Sequence, residues 1–182
     1  MTRCYGMALS IRGTLLLLYL ALVLPLPALA PPALRPLLLA ALPLGLLVVL
    51  AITSERVELD ATGLQRRHPG WCRWWLRSGW HLPWDQIQRL TPVATSQGGR
   101  VFYVGTTAGT SVLLPQRLEQ FDDFLARFAQ HTGLDTSSIG RISPAWTYQL
   151  LAVLSGVMVA AELLAGWAVL TGRWAFPPGL VL

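Results

Sequence analysis

Residues 100–114 read RVFYVGTTAGTSVLL, and this stretch decides the fold class of the water-soluble part of the chain. Two runs rich in β-branched and aromatic residues flank Ala108 and Gly109, a pattern that predicts an antiparallel hairpin. Residues 56–67 repeat the pattern around a turn at residues 60–63, in which Gly63 is expected to take a positive φ. The sequence therefore predicts an antiparallel sheet.

A single amphipathic helix is expected after the strands. Pro115 suits the first helical position, and Gly133 suits the residue that follows a helix. The apolar residues between them recur on one helical face: Leu118, Phe121, Leu125 and Phe128. Strands followed by one such helix predict an α+β soluble domain, in which a bent antiparallel sheet or open barrel is capped by a C-terminal helix.

Residues 82–90, LPWDQIQRL, resemble the aromatic-acid-x-Ile signature of bacterial pleckstrin-homology-like (PH-like) domains. The hairpins and the terminal helix follow the order that this family uses, so the resemblance covers roughly residues 54–131, although residues 69–79 depart from a clean strand. The resemblance implies a PH-like fold. It implies this fold more firmly than it implies an activity, and proteins of the family are commonly tethered to membranes.

The rest of the chain has the composition of a membrane protein, because 53% of all residues are hydrophobic and only 13% are charged. Apolar runs at residues 14–30, 37–52 and 148–171 predict three membrane-spanning helices. The predicted organisation is a transmembrane hairpin at residues 1–52, a cytoplasmic PH-like domain at residues 53–143, and a third transmembrane helix with a short tail at residues 144–182.

The first apolar run has two alternative interpretations. A basic start and an apolar run imitate a signal peptide, with Ala28-Leu29-Ala30 as its small-residue cleavage site. Pro31 and Pro32 directly after this site favour an uncleaved span. Each of the first two runs covers only about 25 Å at about 1.5 Å per residue, so a re-entrant hairpin is an alternative to two full crossings. Arg35 at the tip favours crossing, because its guanidinium needs headgroups or water.

The distribution of arginine predicts the orientation. Ten of the 14 basic residues, all of them Arg, lie within residues 56–141, and Arg3 and Arg12 precede the first run. The positive-inside rule therefore places the N-terminus and the soluble domain in the cytoplasm and the C-terminus outside. The predicted location is a bacterial inner membrane or a thylakoid.

Residues 66–80 interleave tryptophan with arginine, a combination that suits either anionic lipid headgroups or a protein partner. The best candidates for exposure are Arg73, Trp74 and Arg77. The full predicted partner or lipid interface is Arg66, Arg67, Trp71, Arg73, Trp74, Arg77 and Trp80. The alternative is that Trp71, Trp75 and Trp84 fill the core of the sheet.

Glu162 lies in the middle of the third run, where a carboxylate costs about 2.5–3.5 kcal/mol or becomes protonated. Ala152, Gly156 and Ala160 recur every four residues on the same helix, which allows close approach of another helix. These four residues are the predicted intramembrane contact, either with the hairpin of the same chain or with a partner. A proton-linked site at Glu162 is a less favoured alternative, since no second ionisable residue lies nearby in the span.

No pattern predicts catalysis, a cofactor or a metal site. His68, His81 and His131 are scattered, and Cys4 and Cys72 are far apart, so neither zinc ligation nor a disulfide framework is expected. Nucleic-acid binding is also not expected, because residues 53–143 contain ten Arg against eight acidic residues.

The predicted function is that of a membrane-anchored docking or scaffold factor, which binds other integral membrane proteins and helps assemble or regulate their complex. A membrane hairpin before a soluble β-rich domain is similar in plan to a photosystem I assembly factor, although the third span and Glu162 depart from that plan. Assembly of photosynthetic complexes is therefore one alternative. Sensing of anionic lipids through the arginines of residues 66–77 is another.

Overall fold

The computed structural model describes residues 2–76, 79–96, 98–141 and 144–173. It divides into a sheet unit, formed by the chain through Leu9 and by Thr53–Pro144, and a helical unit, formed by Ser10–Ile52 and by the chain from Ala145 onward. The elements in chain order are β1 (Arg3–Gly6), α1 (Leu9–Val23), α2 (Leu26–Leu29), α3 (Arg35–Ile52), β2 (Arg56–Leu59), β3 (Gly63–Arg67), α4 (Gly70–Arg73), β4 (Trp80–Pro83), a 3-10 turn (Trp84–Gln86), β5 (Ile87–Ala94), β6 (Arg100–Thr106), β7 (Ser111–Leu113), α5 (Phe121–Thr132) and α6 (Ala145–Leu170).

The sheet unit contains two antiparallel sheets, with strand orders β1-β2-β3-β4 and β5-β6-β7. Both predicted hairpins are confirmed, since β2 pairs with β3 and β6 pairs with β7 across a turn in which Gly109 has a φ of 77°. The described strands do not close into a single barrel. The sheet unit is thus a mixed helix-and-sheet fold, as the sequence predicts.

Gly63 is required for a different reason from the one that the sequence suggests. It is not among the glycines with a positive φ. Instead, Gly63 pairs with Pro83 of β4, and a Cβ at this position would lie 2.2 Å from the carbonyl oxygen of Leu82. The glycine therefore permits close approach of two backbones, and the predicted positive φ is wrong.

The first strand, β1, has no counterpart among the predicted elements. It runs antiparallel to β2, from Arg3↔Leu59 to Gly6↔Arg56. The chain then continues along a second partner: the amide of Ala8 donates to the carbonyl of Arg117 at 2.9 Å, and the amide of Glu119 donates to the carbonyl of Gly6 at 2.9 Å. The N-terminal residues, which the sequence assigned to the transmembrane hairpin, are thus part of the sheet unit.

This pairing explains why the helix after the strands begins later than predicted. Helix α5 starts at Phe121 and not at Pro115. Because residues 117–119 pair with residues 6–8, their backbone groups are already used in extended structure. Leu118 is buried, but in this extended segment and not on the helix. The predicted end is confirmed, since Gly133 caps α5 with a φ of 69°.

The two sheets and α5 share one hydrophobic core. Phe121, Phe124 and Phe128 of α5 are fully buried in it, and burial of each such side chain contributes about 1.5–3 kcal/mol. The core extends beyond the helix, because Ile139 is buried and Leu134 packs against the cluster. The segment after α5 is therefore packed structure and not a free linker.

The pairing of β1 with β2 has a consequence for membrane topology. The two strands flank residues 10–52 and lie in one sheet, so both ends of that segment must lie on the same side of any membrane that it enters. The segment therefore crosses an even number of times, or dips in and returns. A cut after Ala30 would separate β1 from the rest of the sheet unit, which supports an uncleaved N-terminus.

The three predicted spans correspond to helices that are long and apolar enough to cross a membrane, at Leu9–Leu29, Arg35–Ile52 and Trp146–Leu170. The first candidate is not one continuous helix, because α1 ends at Val23 and α2 begins at Leu26 after a turn. The second candidate, α3, has 18 residues and spans about 27 Å at about 1.5 Å per residue, which is close to a hydrocarbon core of about 30 Å.

Two hydroxyl groups join the helices of the helical unit. The Tyr19 hydroxyl of α1 donates to the carbonyl of Leu42 in α3 at 2.7 Å. The Thr14 hydroxyl lies 2.8 Å from the carbonyl oxygen of Ser10 and 3.1 Å from that of Tyr148 in α6. Gly45 makes room for the Tyr19 ring, since a Cβ there would lie 2.3 Å from the hydroxyl.

The Tyr19 contact predicts a pair of coupled variants. We expect Gly45→Ala and Tyr19→Phe each to destabilise the helical unit by about 0.6–1.7 kcal/mol, because each removes the same interhelical hydrogen bond. The double variant should cost little more than either single variant. Unfolding of the full-length protein in detergent is the measurement, and Gly13→Ala is the control, because a Cβ at Gly13 meets nothing within 4 Å. Equal effects of Gly45→Ala and Gly13→Ala would contradict the contact.

The bond between β1 and α5 predicts a pH dependence. The Tyr5 hydroxyl donates to Asp123 Oδ2 at 2.5 Å, and Arg127 Nε donates to the same oxygen at 3.0 Å. Both hydrogen bonds lower the pKa of Asp123 below its usual value of 3.8, and the bond from Arg127 has the larger effect. Because the pKa is lowered on folding, the stabilisation is complete above the unfolded pKa and disappears as the pH falls through the folded pKa.

We therefore expect Asp123→Asn to destabilise the protein more at pH 7 than at about pH 3, as measured by thermal unfolding of the full chain. The matched control is Asp122→Asn, since Asp122 is exposed and has no ion pair among the described residues. A destabilisation by Asp123→Asn that is independent of pH would show that the carboxylate is not bound in this way.

Candidate functional site: an exposed tryptophan turn and an intramembrane glutamate

The segment after β3 forms two consecutive tight turns. The amides of Cys72 and Arg73 donate to the carbonyl of Pro69 at 3.1 and 3.0 Å, and those of Trp75 and Leu76 donate to the carbonyl of Cys72 at 3.1 and 2.8 Å. The indole Nε1 of Trp74 also donates to the carbonyl of Trp71, at 3.2 Å. These bonds give residues 71–75, here called the tryptophan turn, a defined conformation.

The tryptophan turn presents its aromatic residues to the outside. Cys72 points inward and is only 1% exposed, whereas Trp71, Trp74 and Trp75 are 52%, 77% and 53% exposed. The alternative in which Trp71 and Trp75 fill the core is therefore wrong. Three large aromatic side chains exposed on five residues form an apolar patch of the kind that marks an interaction site.

The other two tryptophans near this segment belong to the sheet. Trp80 is half-buried against the core and does not lie on the turn, although it was predicted as part of the interface. Trp84 stacks on His131 with ring centroids 4.6 Å apart, and its Nε1 donates to the carbonyl of Asp60 at 2.9 Å. Trp84 thus joins the β2–β3 turn to α5, in agreement with the core alternative for this residue.

The predicted arginines fall into two groups. Arg66 binds Glu55 at 2.6 Å and Arg67 lies 3.9 Å from Glu58, so both have acidic neighbours within the sheet. Arg73 is exposed on the tryptophan turn and has no ion pair among the described residues. Arg77 lies outside the described residues. The charge available to a ligand at this surface therefore comes from Arg73 more than from Arg66.

His68 lies just before the turn in the chain and is buried. It is 8% exposed, and its Nδ1 has no hydrogen-bond partner within the described part of the chain. Burial lowers the pKa of His68, against the opposing effect of the Glu55 carboxylate. The imidazole is consequently neutral at pH 7 and acts as a packing residue.

The register of the first sheet locates the tryptophan turn. Arg67, the last residue of β3, pairs with Arg56, and Arg56 pairs with Gly6. Arg56 lies four residues after the end of α3, and Gly6 lies three residues before the start of α1. The tryptophan turn therefore follows β3 at the same end of the sheet at which the chain connects to α1 and α3.

The second candidate feature is the covered side of α6. Ala152, Ser155, Val159 and Glu162 follow helical spacing and are all at least half-buried, with Ser155 only 2% exposed. Gly156 is half-buried beside them, but Ala160 is exposed, so the predicted strip of Ala152, Gly156 and Ala160 is not one contact face. Ser155 is not among the residues predicted from the sequence. Its position seven residues before Glu162 indicates that both side chains lie on one side of the helix.

Glu162 has an unsatisfied oxygen. Its Oε2 is buried and makes no hydrogen bond within the described residues, while Leu163 and Leu164 next to it are exposed. A buried acceptor without a donor costs about 1–3 kcal/mol. The third apolar helix thus contains a carboxyl group that this chain, where described, does not satisfy.

The described residues contain no group of three or more His, Cys, Asp or Glu side chains placed to hold a metal ion. The three apolar helices place the chain in the membrane-associated class. Its mixed helix-and-sheet unit is formed by residues before the first candidate span together with residues between the second and the third.

No family model matches the chain, and no solved structure matches it. It is 35% identical over 174 residues to the uncharacterized protein slr0269 of Synechocystis sp., and the match covers 92% of this chain and 85% of that protein. The chain belongs to the same family as this Synechocystis protein.

The inward position of Cys72 predicts a labelling pattern. We expect a maleimide at about pH 8 to modify Cys4, which is exposed, and to leave Cys72 unmodified until the protein is unfolded in detergent. The pKa of Cys4 is raised by burial and by Glu58, so the alkaline pH is needed to form its thiolate. The Cys4→Ser variant should then show no labelling in the native state. Fast labelling of Cys72 in that variant would contradict the geometry of the turn.

Proposed function

We propose that this protein is a membrane-anchored docking factor, which binds another integral membrane protein through α6 and holds a PH-like domain beside it. In this way it would help assemble or regulate a membrane protein complex. The observation that carries the proposal is the buried Oε2 of Glu162, which has no hydrogen-bond partner within the described residues.

The physical argument concerns the cost of this carboxyl group. A carboxylate in the middle of a membrane helix costs about 2.5–3.5 kcal/mol, and protonation leaves a group that still needs hydrogen-bond partners. A partner helix with a donor at the same depth would recover part of this cost. Glu162 as a residue is still partly exposed, and Leu163 and Leu164 beside it are exposed, so a partner helix can approach next to the covered side of α6.

The PH-like assignment is supported by the order of elements in the sheet unit. The β2–β3 hairpin, the β6–β7 hairpin and α5 follow one another along the chain in the order that the resemblance implies.

The proposed orientation keeps the N-terminus and the sheet unit in the cytoplasm, as the arginine distribution suggests. The pairing of β1 with β2 supports placing both on one side. The related protein comes from a cyanobacterium. We therefore propose photosynthetic membrane complexes as the first place to look for the partner.

The test is affinity purification of the tagged full-length protein in a mild detergent. We expect one defined membrane protein to co-purify, and Glu162→Leu to reduce its recovery about 3- to 20-fold, which corresponds to the loss of one interhelical hydrogen bond. Glu162→Gln should retain more partner than Glu162→Leu, because the amide still forms hydrogen bonds.

Leu164→Ala is the matched control, since Leu164 lies two residues away on α6 and is exposed. It should leave recovery unchanged. Equal recovery of the partner with Glu162→Leu and with Leu164→Ala would remove Glu162 from the interface. A protein that purifies alone would argue against a docking role altogether.

A further inference from the structure

We propose that the tryptophan turn lies in the headgroup region of the bilayer and fixes the sheet unit against the membrane surface. The occupant of this apolar patch is thus lipid and not a protein. The inference concerns residues 71–75 and does not depend on the docking role of α6.

The first argument is the construction of the turn. Trp71, Trp74 and Trp75 are exposed while Cys72 between them is buried, and five hydrogen bonds within residues 69–76 define the conformation of the turn. Tryptophan is enriched where membrane meets water, because its ring is apolar and its N–H needs a polar neighbour. A preformed turn with three such rings loses little conformational entropy on insertion.

The second argument is the short length of chain that connects α1 and α3 to the end of the sheet at which the tryptophan turn lies. Arg56 lies four residues after α3, and four extended residues span at most about 14 Å. Gly6 lies three residues before α1, a span of at most about 11 Å. The headgroup layer on each side of the hydrocarbon core is about 5–8 Å thick. Both connections thus hold this edge of the sheet within a short distance of that layer.

The third argument is charge. Residues 61–84 contain four arginines and no acidic residue, so no carboxylate on this segment repels anionic lipid phosphates. Arg73 lies between the exposed rings and has no ion pair among the described residues. Its guanidinium is therefore available to a phosphate group at the depth that tryptophan prefers.

The experiment compares tryptophan fluorescence of the full-length protein in phosphatidylcholine vesicles with and without bromine on the acyl chains, which quenches only rings that enter the bilayer. The chain has eight tryptophans, so the signal of the turn is obtained as the difference between the native protein and the variant Trp71→Phe/Trp74→Phe/Trp75→Phe. Trp84→Phe serves as the matched control, because Trp84 packs inside the sheet unit.

We expect the difference emission of the turn to lose most of its intensity in brominated vesicles and to resist acrylamide, a quencher in water. The difference emission obtained with Trp84→Phe should not respond to bromine. Protection of Cys72 from maleimide confirms in the same samples that the triple variant is folded.

Quenching of the turn by acrylamide and not by bromine would overturn the proposal. It would also be overturned if the turn became shielded only after addition of a co-purified protein, since the patch would then be a protein interface. Loss of partner binding in the Glu162 variants tests α6 separately and has no bearing on this result.

Discussion

The antiparallel pairing of β1 with β2 is the constraint on which the rest of the structure depends. Four residues at the start of the chain hydrogen bond to β2, and the residues that follow them bond to residues 117–119. This arrangement delays the start of α5, places Tyr5 against Phe124, and sets the edge at which the tryptophan turn leaves the sheet. It also requires both ends of the helical hairpin to lie on one side of a membrane.

Both candidate features, the tryptophan turn and Glu162, cost free energy in the surroundings that the chain alone provides. The tryptophans of residues 71–75 expose apolar surface where the rest of the sheet unit buries it, and Glu162 buries a polar oxygen in an apolar helix. A well-packed chain has no internal use for either arrangement. We propose that other molecules offset these costs: a bilayer interface for the tryptophans, and a hydrogen-bond donor in the membrane for the carboxyl group.

Local chemistry explains which parts of the fold were predictable. The β2–β3 and β6–β7 hairpins and the end of α5 at Gly133 depend on residues close together in sequence, and they were predicted correctly. Strand β1 was not predictable, because four residues carry no periodic signal and their partner lies about 50 residues away. The predicted start of α5 was wrong for the same reason, because it depends on the distant pairing of residues 117–119 with residues 6–8. The exposure of Trp71 and Trp75 depends on which side of a four-residue helix faces the core, which their spacing does not determine.

The membrane hairpin is an insertion between two neighbouring strands of one sheet, and this has a consequence for biosynthesis. A ribosome adds about 5–20 residues per second, so β2 follows β1 only after several seconds. An antiparallel pair forms within about 10 microseconds once both strands are present. Strand β1 must therefore wait while the candidate spans within residues 10–52 are synthesised. If the N-terminus were carried across a membrane, β1 would be separated from β2, so formation of the sheet depends on both ends of residues 10–52 staying on one side.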